Sequence, residues 1–276
     1  MPIWEYGDAV DNKDLIIQGL RVGYCPFCDT ELKSLLSERR VKKRHGEARR
    51  GGPWKQTKHL VVDVCPTCGW WRTLKRTSTL DWTRRIRRRA RRWFQGNIAS
   101  LRKLSIDDVS TPLEEIRAFL VAKYESRFDL HPKLFEETVA SVFRDLGYQA
   151  RVTAYSSDGG IDVVLDGPDK IEVGVQVKRY KDSIEVEQIR AFTGALLLGG
   201  YTKGIFVTTS QFQSGANKTT DLARLKGIPI ELMDAGRFYD ALRLAQRECY
   251  RSTEEFIKYL RKNSKSLVPL GEDFVR

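Results

Sequence analysis

The stretch Gly-Gly-Ile-Asp-Val-Val at residues 159–164 and the triplet Gln-Val-Lys at residues 176–178 decide the fold of the C-terminal half of this chain. Each joins polar side chains to a short apolar run that is typical of a buried β-strand. Because residues two apart in a strand point to the same face, Gln176 and Lys178 are expected on one side of the sheet. If the two strands form a hairpin, Asp162 meets this pair. A carboxylate, an amide and an ammonium group suit a hard cation and a water molecule beside a phosphate.

The charge of the chain is concentrated in its first part. The net charge is +12, and residues 1–110 hold 24 of the 48 Lys and Arg but only 12 of the 36 Asp and Glu. The rest of the chain is balanced. This asymmetry predicts a module for a polyanion, DNA or RNA first and an anionic membrane second, joined to a neutral domain with another task.

The sequence contains no sign of a membrane or secretory segment. No run approaches the roughly 18 apolar residues of a membrane helix, and the first residues lack a basic segment followed by an apolar one. We therefore expect a cytoplasmic protein that does not associate with a membrane.

Four of the five cysteines form two Cys-x-x-Cys pairs, Cys25 with Cys28 and Cys65 with Cys68. Two such turns fill the four positions of a tetrahedral ion, so they predict a structural Zn²⁺ in a zinc-ribbon-like module with a basic insertion. Disulfides and a thioredoxin-like redox pair are the alternatives, disfavoured by the cytosolic setting and by the lack of a βαβ pattern. Cys249 is expected to be a small core residue.

Two basic segments are predicted to bind nucleic acid. Residues 39–50 resemble a glycine-ended loop, and Asp81 to Phe94 predict a helix because apolar residues recur there every three or four positions. The predicted contacts are Arg39, Arg40, Lys42, Lys43, Arg44, Arg84, Arg85, Arg87, Arg88, Arg91 and Arg92. A charged face for an acidic partner protein is the alternative. Trp70, Trp71, Trp82 and Trp93 are expected in a core, with base stacking as the alternative.

The remaining periodicity divides the chain into four parts. Residues 1–80 form the zinc-ribbon-like module, 81–111 an arginine-rich helix and linker, 112–250 the main domain, and 251–276 a C-terminal helix and tail. In the main domain, strands alternate with helices, which predicts an α/β fold with a mixed central sheet flanked by helices. The predicted helices are Leu113 to Phe128, Pro132 to Leu146, Val186 to Leu198, Ser214 to Lys226 and Gly236 to Cys249; the predicted strands are Gln149 to Ala154, Ile161 to Leu165, Ile171 to Arg179, Gly204 to Thr209 and Ile228 to Leu232.

The two opening motifs stand among others in a familiar order. Pro-Lys-Leu-Phe-Glu at residues 132–136 precedes them, and Gly-Ile-Phe-Val-Thr-Thr-Ser at 204–210 follows them. Over about residues 130–245, the chain resembles the catalytic domain of Mrr-like restriction endonucleases, a branch of the PD-(D/E)xK nuclease superfamily. The resemblance implies the restriction-endonuclease-like fold.

The resemblance also implies roles for individual residues. Asp162 matches the metal-binding aspartate, and Lys178 matches the lysine that positions or activates the attacking water. Gln176 occupies a position that is acidic in most of the superfamily and is typically Gln in this branch. Glu136 matches an acidic residue that completes the site through metal or water. Asp162, Glu136 and Gln176 would hold Mg²⁺ or Mn²⁺.

The implied activity is metal-dependent cleavage of DNA phosphodiester bonds, in restriction or defence against foreign DNA. The alternatives are a non-catalytic nucleic-acid-binding protein on a nuclease fold, and a structure-selective nuclease for repair or junction substrates. RNA remains open as a substrate. One site cuts one strand, so double-strand cleavage favours a homodimer or higher assembly. The sequence leaves open whether a defence-system partner protein controls the activity.

Overall fold

The computed structural model describes residues 3–6, 23–44, 53–82, 88–153, 159–166, 172–246, 254, 258 and 268–269. The chain divides into two compact units, one of Met1–Lys103 with Glu248–Arg276 and one of Leu104–Arg247. The division of function at residues 80, 111 and 250 stays a prediction. Within the described ranges, none of the helices has the length and apolarity that a membrane span requires.

The first unit is built from antiparallel strands. They are β1 (Trp4–Tyr6), β2 (Lys33–Arg44), β3 (Trp54–Val64), β4 (Trp71–Trp82) and β5 (Arg88–Leu101). The sheet order is β1-β5-β4-β3-β2, and a short strand, Val268–Pro269, also pairs with β5. Among the described strands, β2 is therefore an edge of the sheet.

The prediction of a helix from Asp81 to Phe94 is wrong. The ladder between β4 and β5 runs without a break from Arg72↔Ile98 to Trp82↔Arg88. β4 contains three Thr and two Trp residues, which favour strands, and it pairs with the arginine segment along the ladder. An arginine-rich helix places like charges three and four residues apart on one face, whereas a strand sends neighbouring residues to opposite faces. Arg84, Arg85 and Arg87 lie outside the described residues.

The prediction of a loop at residues 39–50 is wrong for its first half. Residues 39–44 belong to β2 and pair with β3 from Arg39↔His59 to Arg44↔Trp54. The long ladder to β3 outweighs the low strand preference of the charged side chains. Residues 45–52, with the glycines that suggested a turn, lie outside the described residues, and so do Cys249 and most of the predicted C-terminal helix.

The second unit contains a mixed sheet between helices, as predicted. Its strands are β6 (Gln149–Val152), β7 (Val163–Asp166), β8 (Glu172–Lys178), β9 (Lys203–Thr208) and β10 (Ile230–Met233), in the order β10-β9-β8-β7-β6. β6, β7 and β8 are antiparallel neighbours, whereas β8, β9 and β10 run parallel. The helices are α1 (Leu113–Ala122), α2 (Pro132–Asp145), α3 (Val186–Leu198), α4 (Gly215–Leu225) and α5 (Ala235–Ala245).

One predicted helix is interrupted. The apolar pattern predicted a continuous helix from Leu113 to Phe128, but α1 ends at Ala122 and a 3₁₀ helix follows at Tyr124–Phe128. The Tyr124 hydroxyl donates a hydrogen bond to the Ala235 carbonyl oxygen at 2.8 Å. This tertiary contact holds the separate turn against the start of α5.

Two glycines allow a helix to approach the sheet closely. Gly174 in β8 and Gly204 in β9 are neighbours in register. A Cβ at Gly204 would lie 2.4 Å from Leu196 Cδ1, and one at Gly174 would lie 2.6 Å from Leu196 Cδ2. Leu196, in α3, is fully buried. The paired glycines therefore leave the space that this leucine fills.

We expect Gly204→Ala to destabilise the protein by about 1–3 kcal/mol, because the new methyl group overpacks a core that cannot yield. The midpoint of thermal unfolding, followed by circular dichroism, should fall by several degrees. Gly194→Ala in α3 is the control, since a Cβ there meets no atom within 4 Å and alanine favours a helix. Equal midpoints for the two variants would contradict this account of the packing.

Candidate active site and cysteine cluster

Asp162 stands immediately before β7 and is tied to β8. Its backbone N–H donates to the Val175 carbonyl oxygen at 2.9 Å, and its Oδ2 accepts a hydrogen bond from the Val177 N–H at 2.6 Å. The carboxylate therefore replaces a backbone carbonyl as the partner of this amide. Since Val177 lies between Gln176 and Lys178, the carboxylate meets the middle of the predicted triplet.

Gln176 and Lys178 lie on β8, half-buried, with the buried Val177 between them. A Cβ at Gly160, which has a φ of +91°, would lie 3.5 Å from Gln176 Nε2. The glycine turn before Asp162 thus also approaches this side chain. The antiparallel pairing of β7 and β8 brings together the two motifs as the sequence predicted.

Hydroxyl groups hold the end of β8 beyond Lys178. Thr208 Oγ1 donates to the Lys178 carbonyl oxygen at 3.0 Å, Thr209 Oγ1 to Tyr180 at 2.8 Å, and Ser210 Oγ to Lys181 at 3.0 Å. This Thr-Thr-Ser run is part of the motif at residues 204–210, but no role was predicted for it. Three consecutive hydroxyl residues at the end of a buried strand are the pattern that could have indicated this role.

Glu136 lies in the first half of α2 and is half-buried. α2 packs against β7 and β8, with Phe135 and Val139 among its buried residues. The structure thus places Glu136 on an element next to both strands of the site. Its part in binding a metal stays a prediction.

The donor set around Asp162 fits a hard divalent cation. Mg²⁺ takes oxygen ligands, and in proteins it usually needs one or two carboxylates while water and phosphate complete its shell. The Asp162 carboxylate and the Gln176 amide oxygen are such donors on adjoining segments. Lys178, on the same strand, adds a positive charge that an anionic substrate requires.

The four cysteines of the first unit form one buried cluster. Their Sγ atoms all lie within 4.8 Å of one another, with 3.5 Å between Cys25 and Cys68 and 3.4 Å between Cys28 and Cys65. They are free thiols, so the disulfide alternative is wrong. Four sulfurs at Zn–S distances of about 2.3 Å would stand about 3.8 Å apart, so the observed arrangement fits a tetrahedral zinc ion.

The two cysteine turns share one backbone geometry. Asp29 and Gly69, each four residues after the first cysteine of its pair, have φ values of +53° and +77°. Their N–H groups both donate to the carbonyl oxygen of that first cysteine, Cys25 or Cys65, at 3.0 Å. Glycine adopts this left-handed conformation without strain, and in the other pair an aspartate takes its place.

Burial raises the pKa of the Cys68 thiol, because a thiolate there would lose its hydration. Four sulfur atoms in such a site require a cation if they are to be thiolates.

The tryptophan side chains near the cysteines belong to the core. Trp4 Nε1 donates a hydrogen bond to the Cys68 carbonyl oxygen at 2.6 Å, and Trp70 and Trp71 are fully buried. Base stacking by Trp70 and Trp71 is therefore excluded, whereas the side chains of Trp82 and Trp93 lie outside the described part of the structure.

Apart from Arg84, Arg85 and Arg87, which lie outside the described residues, the predicted nucleic-acid contacts divide into two groups. Arg39, Arg40, Lys42, Lys43 and Arg44 lie on β2, and residues 39–44 are all exposed. Arg88, Arg91 and Arg92 belong to β5, but their side chains lie outside the described part of the structure. The first group therefore carries the structural argument for a polyanion surface.

The second unit matches a known family. Residues 128–242 match the family model Mrr_cat, described as restriction endonuclease. These residues resemble the Mrr restriction endonuclease domain. The predicted resemblance, drawn over residues 130–245, is confirmed, and the motifs at Asp162, Gln176 and Lys178 all fall inside the matched region.

A curated relative is similar to part of the chain. It is the type IV methyl-directed restriction enzyme EcoKMrr of Escherichia coli (strain K12), 34% identical over 126 residues. The match covers 42% of this chain and 41% of the relative. The chain therefore spans about two-fifths of the length of this Mrr relative.

Two solved structures are weakly similar. One is the MspJI restriction endonuclease in complex with a 27-mer oligonucleotide, with a TM-score of 0.32 and 22% identity, over 59% of this chain and 39% of that chain. The other is a repair endonuclease from Pyrococcus abyssi, with a TM-score of 0.25 and 13% identity, over 84% of this chain and 97% of that chain. At these scores neither bears on the assignment.

We expect the freshly purified full-length protein to contain about one zinc ion per chain, measured by atomic emission. Cys65→Ser should lose this zinc and make the first unit sensitive to limited proteolysis, because one of four thiolates is missing. Cys249→Ser is the control and should keep it. Retention of zinc in Cys65→Ser, or its absence from the unmodified protein, would contradict the assignment.

Proposed function

We propose that this protein is a metal-dependent endodeoxyribonuclease that acts in the cytoplasm in restriction or defence against foreign DNA. The observation that carries the proposal is the hydrogen bond from the Val177 N–H to Asp162 Oδ2 at 2.6 Å. It ties the acidic group to the backbone of the residue between Gln176 and Lys178, within a domain that resembles Mrr restriction endonucleases. The similarity to a methyl-directed restriction enzyme of Escherichia coli supports the same setting.

Asp162, Gln176 and Glu136 would hold Mg²⁺ or Mn²⁺. Such an ion would polarise a phosphoryl oxygen and lower the pKa of a bound water. The hydrogen bond from Val177 fixes the orientation of the Asp162 carboxylate before substrate arrives. Lys178 orients the attacking water and offsets the negative charge that develops on the phosphate.

The first unit binds the substrate. Its basic residues on β2 neutralise phosphates without reading bases, which gives an affinity that falls steeply with salt. Zinc at the four cysteines stabilises the strands that carry this surface. Because one site cuts one strand, cleavage of both strands would require a second copy of the chain.

The central test is loss of cleavage in Asp162→Asn and Lys178→Ala. We expect each to reduce Mg²⁺-dependent plasmid cleavage by about 100-fold or more, the usual effect of removing a transition-state charge partner. Asparagine still offers an oxygen to the Val177 N–H, so the strand pairing is kept. The assay should use methylated and unmethylated plasmid.

The matched controls are Asp166→Asn, at the far end of β7, and Lys203→Ala, at the exposed start of β9. Both should cleave like the unmodified protein. Cleavage at full rate by Asp162→Asn and Lys178→Ala would overturn the proposed site. DNA binding with no metal-dependent cleavage by the unmodified protein would favour the non-catalytic alternative instead.

Gln176→Glu should strengthen metal binding, because it adds a negative charge to the donor set. We expect the Mg²⁺ concentration for half-maximal cleavage to fall by about tenfold, which corresponds to about 1.4 kcal/mol. Gln149→Glu, at the exposed first position of β6, is the control for the added charge. An unchanged metal requirement in Gln176→Glu would mean that this side chain is not a ligand.

A further inference from the structure

The exposed edge of the first unit carries positive charge on both faces. Alternation along β2 places Arg39 and Lys43 on one face and Arg40, Lys42 and Arg44 on the other. All five side chains are exposed. A strand that only shields one face of a core would alternate charged and apolar residues, and the single apolar residue in this segment, Val41, is itself exposed.

The neighbouring strand extends this pattern. Lys43 pairs with Lys55, and Arg40 pairs with Lys58; paired residues in an antiparallel ladder project from the same face. Like charges directly opposite each other destabilise a sheet. Two such pairs, one on each face, indicate a surface adapted to an external anion.

One face also has a visible concavity. Arg39, Val41, Lys43 and Lys55 line a shallow depression. On the other face, Arg40 contacts the Glu38 carboxylate at 3.4 Å while remaining 80% exposed, so this contact leaves its charge accessible to a ligand. Both faces therefore present cationic groups to solvent.

A sheet edge with positive charge on both faces is better suited to entering a groove of a nucleic acid than to lying flat on its surface. A sheet lying flat on a duplex needs positive charge on one face only. The major groove of B-form DNA is about 12 Å wide and 8.5 Å deep, which admits a two-stranded ribbon. Neighbouring strands are about 4.8 Å apart, so the depth of the groove accommodates β2 and, behind it, β3. Phosphates line both walls of the groove. The deep and narrow major groove of A-form RNA excludes such a ribbon.

We propose that the sheet edge formed by β2 and β3 enters the major groove of B-form duplex DNA edge-on and that its two basic faces contact the phosphates on opposite walls. The proposal rests on the proposed function only for the choice of DNA as the polyanion. It assigns a substrate form, duplex B-DNA, and an orientation of the sheet.

The test compares the two faces. Binding of the full-length protein to a short DNA duplex is measured without added Mg²⁺ over a range of salt, after zinc content and circular dichroism confirm that each variant is folded. The variants lose three charges each: Arg39→Ala, Lys43→Ala and Lys55→Ala on one face, and Arg40→Ala, Lys42→Ala and Lys58→Ala on the other. The control loses three exposed charges of the second unit: Lys203→Ala, Lys218→Ala and Lys226→Ala.

Each face variant should weaken binding by about tenfold or more and reduce the slope of log K against log salt by about 2 to 3, while the control changes neither. An effect from one face alone would show that the sheet lies flat on its ligand and would overturn the proposal. No effect from either face would mean that the charges only protect a sheet edge from aggregation, which would also overturn it.

The groove is tested with modified ligands. A duplex carrying glucosylated hydroxymethylcytosine, which fills the major groove, should bind at least about tenfold more weakly, whereas netropsin in the minor groove should leave binding unchanged. An RNA duplex of the same sequence should bind weakly. Undiminished binding to the glucosylated duplex, together with weaker binding in the presence of netropsin, would overturn the proposal. These readouts do not involve cleavage, so an inactive enzyme would defeat the proposed function and leave this result standing.

Discussion

The hydrogen bond between the Asp162 carboxylate and the Val177 N–H is the interaction on which the candidate active site depends. A charge-assisted bond of this kind is shorter and stronger than a neutral one, and here it occupies a backbone amide that would otherwise need a carbonyl partner. Val177 is joined covalently to Gln176 and Lys178. Fixing the carboxylate on this amide therefore holds it beside the backbone positions from which both side chains extend.

The rest of the second unit supports that one strand. Val163, Val175 and Val177 are buried, so the hydrophobic effect holds β7 and β8 together while their polar neighbours remain near the surface. Thr208 binds the carbonyl group of Lys178, which prevents the strand from fraying at the lysine. Local rigidity of this kind is what catalysis by preorganised charges requires.

The first unit obtains its stability in a different way. Much of its strand length is exposed or half-buried, and its buried residues gather around the four cysteines, with Trp4 and Trp70 bonded to nearby carbonyl groups. A thiolate-bound metal can supply the stability that a small core does not. The sheet edge formed by β2 and β3 can then extend from the cluster and carry charges whose mutual repulsion would not be tolerated in a core.

The sequence by itself determined what depends on local spacing. Period-two alternation placed Gln176 and Lys178 on one strand, and the Cys-x-x-Cys spacing predicted the two turns. The alternation of helices and strands predicted the mixed sheet. Each of these patterns is formed by residues that are close together in the sequence. It failed from Asp81 to Phe94, where a spacing of three and four residues favoured a helix. Only the tertiary structure decided that segment, since β4 supplied an unbroken ladder. Tertiary structure also decided that Asp162 reaches the Val177 amide and that residues 39–44 show charge on both faces, because strand pairing between distant residues is not encoded in local periodicity.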